Sequence, residues 1–277
     1  MKTKLQTLII IFALSHSPLF AQKKERLFDR LQGISSNGID FFNVDGIEIT
    51  SQNINQEFSK KSIVKKFKQY SIKETDLITS DSIVKGRNFF VTKVDEMFPG
   101  IKQMTTYYFI ENVEKKLTAI TFTSMSKIDK NLEKEMVSAI LNKTIPQSVY
   151  NPLQIDSINF AGRKIPLKNS CRWTGVNNVQ CPYYGQMNWS VHKSIDDAVL
   201  SRDNQFNVIK ARKGGKVVSD ETIDIIFEGA ETKAKKLIYD FKGVTSVLAG
   251  MSGGKTLTIY YVASPVREHY VSCVLSF

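Results

Sequence analysis

One stretch of the chain matches a second stretch without a gap, 153 residues further along, so residues 91–123 lie over residues 244–276. Each stretch divides into three runs of alternating apolar and polar residues, separated by Pro, Gly or Asn, which is typical of strands joined by tight turns. The sequence therefore predicts two related copies of a three-stranded antiparallel meander. The identical positions are Val91/Val244, Thr92/Thr245, Val94/Val247, Gly100/Gly253, Lys102/Lys255, Thr105/Thr258, Tyr107/Tyr260, Tyr108/Tyr261 and Val113/Val266.

The alternation also predicts which side chains share a face. The expected strands are 89–97, 102–110 and 117–124 in the first copy, and 237–248, 255–263 and 270–277 in the second. Tyr108 and Tyr261 fall on the expected core side, whereas Tyr107 and Tyr260 point the other way. Exposed tyrosines suit carbohydrate or protein surfaces, so Tyr107 and Tyr260 are the predicted binding residues. The alternative is that helices cover both rings, which then only pack.

Three segments have helical signals. Residues 56–70 place Phe58, Ile63 and Phe67 near one face, residues 130–143 end before Pro146, and residues 194–210 begin with a capping Ser194 followed by two acids. Residues 231–241 fit either a helix or a strand. We therefore predict an α+β fold of two related halves, 22–150 and 151–277. Each half is a helix followed by the meander, in one or two sheets with helices on one face.

The first 21 residues have the order of a secretory signal peptide: Lys2 and Lys4, an apolar run from Leu8 to Leu14, a Ser/Pro break and a final Ala21. The alternative is a buried N-terminal helix. No Cys lies near Ala21, so we expect an exported periplasmic or secreted protein and not a lipoprotein. No later stretch has transmembrane length.

Three cysteines follow the leader: Cys171, Cys181 and Cys273. Cys171 and Cys181 flank two short strand-like pieces around a Gly/Asn turn, and such a hairpin can hold a disulfide. Cys273 replaces Ile120 in the repeat, so we expect a buried free thiol.

Lysine and arginine number 38 against 27 for aspartate and glutamate, which gives a formal net charge of +11. The excess is spread over both halves, whereas a nucleic-acid-binding protein concentrates it on one patch. The lysines between residues 60 and 68 are interpreted as a solvated helix face. A weak attraction to anionic envelope surfaces or glycans is the alternative.

Several motifs resemble catalytic sites but lack the required context. Ala249–Thr256 matches a relaxed phosphate loop, yet an alternating strand follows it where a helix is needed. Gly250–Gly254 matches a nucleophile elbow, but only Glu268 and His269 follow, on opposite faces of one strand. Cys181-Pro-Tyr-Tyr184 lacks the second Cys of a redox motif. With His192 and His269 as the only histidines after the leader, we predict no metal, cofactor or nucleotide.

These observations lead to three hypotheses. The first is an exported, non-enzymatic protein that binds an envelope or extracellular ligand. The second is a cell-envelope hydrolase whose site is assembled from distant acidic residues. The third is a structural subunit of a surface assembly, for which a long unpaired edge strand would be the sign.

Overall fold

Strands make up 53% of the described residues in a computed structural model, which describes residues 26–79, 83–167, 170–243 and 255–277. They form two seven-stranded antiparallel sheets and one two-stranded sheet. The bounds are β1 Gln32–Ser36, β2 Ile39–Val44, β3 Ile47–Glu57, β4 Ile78–Thr79, β5 Asn88–Phe98, β6 Ile101–Glu111, β7 Lys116–Ser124, β8 Ser157–Phe160, β9 Arg163–Pro166, β10 Arg172–Gly175, β11 Asn178–Cys181, β12 Gly185–His192, β13 Gly215–Phe227, β14 Ala230–Phe241, β15 Thr256–Val266 and β16 His269–Ser276.

The two large sheets have the same strand order. The first runs β1-β2-β3-β7-β6-β5-β4 and the second β10-β11-β12-β16-β15-β14-β13. In both sheets, the first three strands form a meander, and a helix follows. Four further strands form a second meander, and the last of them pairs with the third strand of the first meander. The predicted relation between the halves is therefore confirmed, but each half holds a seven-stranded sheet and the chain is mostly β.

Tight turns explain why residues 32–57 form strands that the repeat did not predict. Asn37-Gly38 joins β1 to β2 and Asp45-Gly46 joins β2 to β3, and all four residues have positive φ angles between 52° and 75°. Asn-Gly and Asp-Gly favour this two-residue hairpin turn because both central positions need positive φ. The resulting meander supplies the third strand, β3, that pairs with β7.

The helices are α1 (Leu27–Arg30), α2 (Lys60–Lys66), α3 (Lys130–Leu141) and α4 (Ile195–Ala211). Ser59, Asp129 and Ser194 cap the last three by accepting a backbone N–H with their side-chain oxygens, as N-cap residues do. The segment predicted as one helix over 56–70 is shorter, because β3 continues to Glu57 and the helix begins only after Ser59.

The prediction that the helices pack on one face is wrong for the first sheet. Ile63 of α2 packs with Tyr107 and Phe109, whereas Met136 of α3 packs with Tyr108 on the opposite face. The sheet alternates, so neighbouring residues of β6 belong to different hydrophobic clusters. Both faces of this sheet are therefore covered.

The ungapped repeat does not hold strand by strand. Tyr107 lies opposite Thr121, but Tyr260 lies opposite Leu275, one position beyond the Val274 that the offset predicts. The strand preceding β15 is β14, which ends at Phe241, rather than the predicted 237–248. The matches at Val244, Thr245 and Val247 lie outside the described residues, as do the signal peptide and most of the phosphate-loop and elbow motifs. Among the described residues, no helix combines the length and apolarity needed to cross a membrane.

The Cys171–Cys181 disulfide is confirmed, and Cys273 is a buried free thiol. The bridge joins Cys171, directly before β10, to Cys181 at the end of β11. Both cysteines pack in one hydrophobic cluster with Trp173 and Trp189. Burial raises the pKa of the Cys273 thiol, which disfavours the reactive thiolate.

Reduction of the disulfide should lower the melting temperature without abolishing the fold. A loop this short limits the entropic effect to about 3 kcal/mol, and the sheets hold the surrounding core. Thermal melts by circular dichroism with and without dithiothreitol measure the effect. Cys273 should react with a thiol reagent only in denaturant, and labelling of Cys273 in the native protein would contradict its placement.

Candidate functional site

A cleft of about 440 Å³ lies between the two halves and under helix α4. Its floor is the second sheet, where Asn188, Val274 and Tyr261 stand side by side on neighbouring strands. One wall is α4, and the other is the first half, including the Asp45-Gly46 turn and the end of β7. The cleft volume is within the roughly 300–1,000 Å³ that is usual for small-molecule sites.

Helix α4 packs on this floor through Phe206 and Ile209 but leaves part of it open. Only Ala198 and Phe206 of its 17 residues are buried, although a helix covering a sheet normally buries a full stripe. One face of α4 lines the cleft, because its residues recur at helical spacing. These residues are Leu200, Ser201, Asn204, Gln205, Val208 and Ile209, and Arg212 follows just after the helix.

The lining combines an apolar patch with neutral hydrogen-bonding groups. Leu257, Ile259 and Val274 form the apolar part of the floor, facing Val208 and Ile209 of α4. Carboxamides surround this patch, and they are contributed by both halves: Asn43, Gln103, Asn178, Gln186, Asn188, Asn204 and Gln205.

Tyr261 supplies an unsatisfied polar group at the floor. Its side chain is 1% exposed, and its ring packs edge-on against Phe206 with centroids 5.3 Å apart. The hydroxyl has no hydrogen-bond partner within the described part of the chain. Burial raises the pKa of Tyr261, so the hydroxyl stays protonated and remains a potential donor.

The Asp45-Gly46 turn joins the first half to the second. The Asp45 backbone N–H donates to the carbonyl of Val191 at 3.0 Å, and the Lys193 N–H donates to Asp45 Oδ1 at 3.0 Å. Arg30 Nε pairs with the same carboxylate at 2.9 Å, and both side chains of this ion pair are 8% exposed. The turn is therefore bound to the end of β12 by backbone and charge together.

Two more ion pairs cross the mouth of the cleft. Lys127 Nζ lies 2.8 Å from Asp197, and Lys193 Nζ lies 2.8 Å from Asp129. Burial acts to raise the pKa values of Asp129 and Asp197, but the hydrogen bonds and charges of their lysine partners outweigh it and lower both. These carboxylates are therefore ionised and engaged at neutral pH.

A buried cluster of hydroxyls surrounds His192 beneath the turn. Ser190 Oγ lies 2.8 Å from His192 Nε2 and 2.8 Å from Ser272 Oγ, and Ser272 reaches Ser201 of α4 at 3.3 Å. Burial lowers the pKa of His192 to about 4, although the charges of Asp45 and Asp197 oppose this. The ring is therefore neutral at pH 7.

The His192 cluster lacks the arrangement of a serine hydrolase. His192 Nδ1 has no partner among the described residues, whereas a catalytic base has a group at this atom that orients the ring. The oxygens of the neighbouring Asp45 are bound by Arg30 and by the Lys193 N–H. Within the described ranges, no group of three His, Cys, Asp or Glu residues is placed to hold a metal ion.

The two tyrosines predicted from the repeat lie outside this cleft and apart from each other. Tyr107 is 6% exposed and packs under α2 against Phe67 and Phe109. Tyr260 is half-buried on the face of the second sheet opposite α4, with Phe277 at 6.3 Å. A binding role for either tyrosine remains a prediction.

Sequence reasoning missed the residues of the cleft. Its polar members, such as Asn188 and Asn204, carry no motif, and they meet only through the pairing of β12 with β16 and the path of α4. The Asp45-Gly46 dipeptide was the available signal, since it marks a tight hairpin next to buried residues.

Replacing Gly46 with Ala should destabilise the protein more than replacing Gly38. Both glycines have nearly the same φ, +74° and +75°, so the backbone strain of about 1–2 kcal/mol is matched. A Cβ at Gly46 would lie 3.1 Å from Ser201 Oγ and 3.2 Å from His192 Cε1, whereas a Cβ at Gly38 meets nothing within 4 Å. Urea unfolding should show an additional loss of about 1 kcal/mol for Gly46→Ala. Equal losses would show that the turn does not pack against the second half.

Stability should fall between about pH 6.5 and pH 4 because His192 resists protonation when folded. The folded pKa lies below the unfolded one, so the contribution is complete above pH 6.5 and is lost as the pH falls towards 4. The loss attributable to His192 should approach about 3 kcal/mol. Urea unfolding of wild type and His192→Asn at pH 7.5 and 4.5 isolates it, and an unchanged pH dependence in the variant would contradict it.

Comparisons with known proteins do not identify a family. No protein-family model matches the chain, and no curated protein matches it. Among solved structures, the crystal structure of the di-domain ARO/CYC StfQ from the steffimycin biosynthetic pathway aligns with a TM-score of 0.15 and 10% sequence identity. The alignment covers 89% of this chain and 72% of that chain, and a score this low establishes no common fold.

Proposed function

We propose that the chain is an exported, non-enzymatic binding protein whose ligand occupies the cleft under α4. The ligand is a small molecule with an apolar body and hydrogen-bonding groups. The observation that carries this proposal is the incomplete cover that α4 gives its sheet, which leaves part of an apolar floor open beside carboxamides from both halves.

The lining supports binding because its parts match the usual composition of small-molecule sites. Such sites combine apolar walls with a few placed polar groups that orient the ligand. Here Leu257, Ile259 and Val274 supply the apolar contact, and the carboxamides of Asn188, Asn204 and Gln205 offer hydrogen bonds to a ligand.

The hydrolase hypothesis has less support from the same residues. A pair of catalytic carboxyls needs one member with a raised pKa and both free to reach the substrate. Burial raises the pKa of Glu48, which lines the cleft. Asp45, Asp129 and Asp197 are each bound to a basic side chain, and the pKa values of Asp129 and Asp197 are lowered, so none of these three is free to act as its partner.

The assembly hypothesis rests on β13, a 13-residue strand at one edge of the second sheet. A register shift between Val217 and Ser219 and the charges of Asp220, Glu221 and Asp224 interrupt this edge. Bulges and charges are the means by which proteins prevent edge pairing, so β13 favours a monomeric binding protein.

The disulfide supports export, since structural disulfides form and persist in oxidising compartments. Tyr260 is a proposed additional contact beside Phe277, which is 61% exposed. Binding by Tyr107 would require α2 to move off the first sheet.

Filling the cleft should prevent binding of a neutral apolar probe. Val208 lines the cleft from α4, and a tryptophan there would occupy space above Ile259, so Val208→Trp should reduce Nile red fluorescence enhancement at least about tenfold. Val113→Trp is the matched control, because Val113 is 99% exposed on a turn of the first half. Circular dichroism melts verify folding of both variants. Equal Nile red binding by the two folded variants, or none by wild type, would refute the proposal.

A further inference from the structure

We propose that the ligand of the cleft is an amphiphilic anion, with its apolar chain on the sheet floor and its acidic head group bound by Arg212. This inference rests on the proposed function, because it assigns the ligand class of the same cleft. Arg212 and Leu257 both line the cleft, so a charged contact and an apolar contact are available to one molecule.

Arg212 differs from the other cations that line the cleft. Lys127 and Lys193 are already paired with Asp197 and Asp129. The ion pairs of the described residues do not include Arg212, whose side chain is exposed immediately after the last turn of α4. Its backbone is fixed, since its N–H donates to the carbonyl of Ile209 and its own carbonyl accepts from the Tyr239 hydroxyl at 3.2 Å.

The fold brings three more lysines to the same end of the second sheet. Lys213 follows Arg212 directly, the N–H of Lys242 donates to the Gly214 carbonyl at 2.8 Å, and the Lys255 carbonyl accepts from the Phe241 N–H at 3.0 Å. We call Arg212, Lys213, Lys242 and Lys255 the basic end. All four are exposed.

The nearby carboxylates offset the basic end only in part. Asp220 is paired with Lys210, whereas Asp240 accepts a hydrogen bond from the neutral Thr256 hydroxyl at 2.7 Å and keeps its charge. Four positive charges against this one carboxylate leave a positive potential that attracts anions and extends over about 8–10 Å at physiological salt.

The opposite wall of the cleft gives the ligand a direction. Glu48 lines this wall and has no ion pair among the described residues, whereas the nearby Asp45, Asp129 and Asp197 are each paired with a basic side chain. An anionic head is therefore repelled by Glu48 and attracted at Arg212. The guanidinium can bind a carboxylate, sulfonate or phosphate with two parallel hydrogen bonds.

Three ligands with one ten-carbon chain test the inference by isothermal titration calorimetry, each below its critical micelle concentration: decanoate, 1-decanol and decyltrimethylammonium. Decanoate should bind at least about tenfold more tightly than decyltrimethylammonium, since a charge-assisted hydrogen bond is worth about one order of magnitude or more. Raising the salt concentration should weaken decanoate binding and leave 1-decanol unaffected.

Arg212→Glu should weaken decanoate binding at least about tenfold and leave 1-decanol unchanged. Lys134→Glu is the charge-matched control, because Lys134 is exposed on α3 outside the cleft and the substitution makes the same change in net charge. Decanoate binding that is equal in these two variants, or equal binding of the anionic and cationic ligands to wild type, overturns the anion inference. If the anion inference fails but wild type binds Nile red and Val208→Trp does not, the proposed function still stands. If wild type does not bind Nile red, the proposed function is refuted.

Discussion

The arrangement of the two halves depends on the docking of the Asp45-Gly46 turn onto the end of β12. At the end of β12 the Asp45 carboxylate accepts from the Lys193 N–H and the Asp45 N–H donates to Val191, while Arg30 of the first half pairs with the same carboxylate. Removing either charge of the Arg30–Asp45 pair would leave the other buried without compensation, which is strongly unfavourable. The close approach requires glycine at position 46, because any Cβ would crowd Ser201 and His192.

The cleft follows from this docking. Helix α4 starts at Ser194, directly beside the docked turn, and ends near the basic end, where Tyr239 binds the Arg212 carbonyl. Between these fixed ends Phe206 holds the helix against Tyr261. The first half lies beside the part of the sheet that α4 leaves open. The cleft therefore has one wall from each half.

Local signals predicted the elements that depend on local interactions. The strands β5, β6 and β7 follow from alternation, α4 follows from its capping residue Ser194, and α3 was predicted to end before Pro146. Strand β3 was missed because Thr50 to Asn53 are polar, and their pairing with β7 is what keeps them in a sheet. The Asn37-Gly38 and Asp45-Gly46 turns could have indicated it.

The cleft could not be predicted from local pattern. Asp45 and Lys193 are 148 residues apart in the chain, and their contact depends on both sheets being formed. The predicted faces of β15 hold, since Tyr261 lies towards α4 and Tyr260 away from it. The repeat did not predict the shift of one residue in the pairing of β15 with β16, because that pairing is set by the whole sheet.

The docking of the Asp45-Gly46 turn also affects the free energy of ligand binding. Since the walls of the cleft belong to different halves, a molecule that touches both walls gains contact energy only when the halves are docked. Its affinity and the docking equilibrium must therefore be linked, each strengthening the other by the same factor. A bound ligand would act as a noncovalent cross-link between the two halves, in addition to the Lys127–Asp197 and Lys193–Asp129 ion pairs. Conditions that break the contacts of Asp45 with Val191 and Lys193 must then also weaken ligand binding.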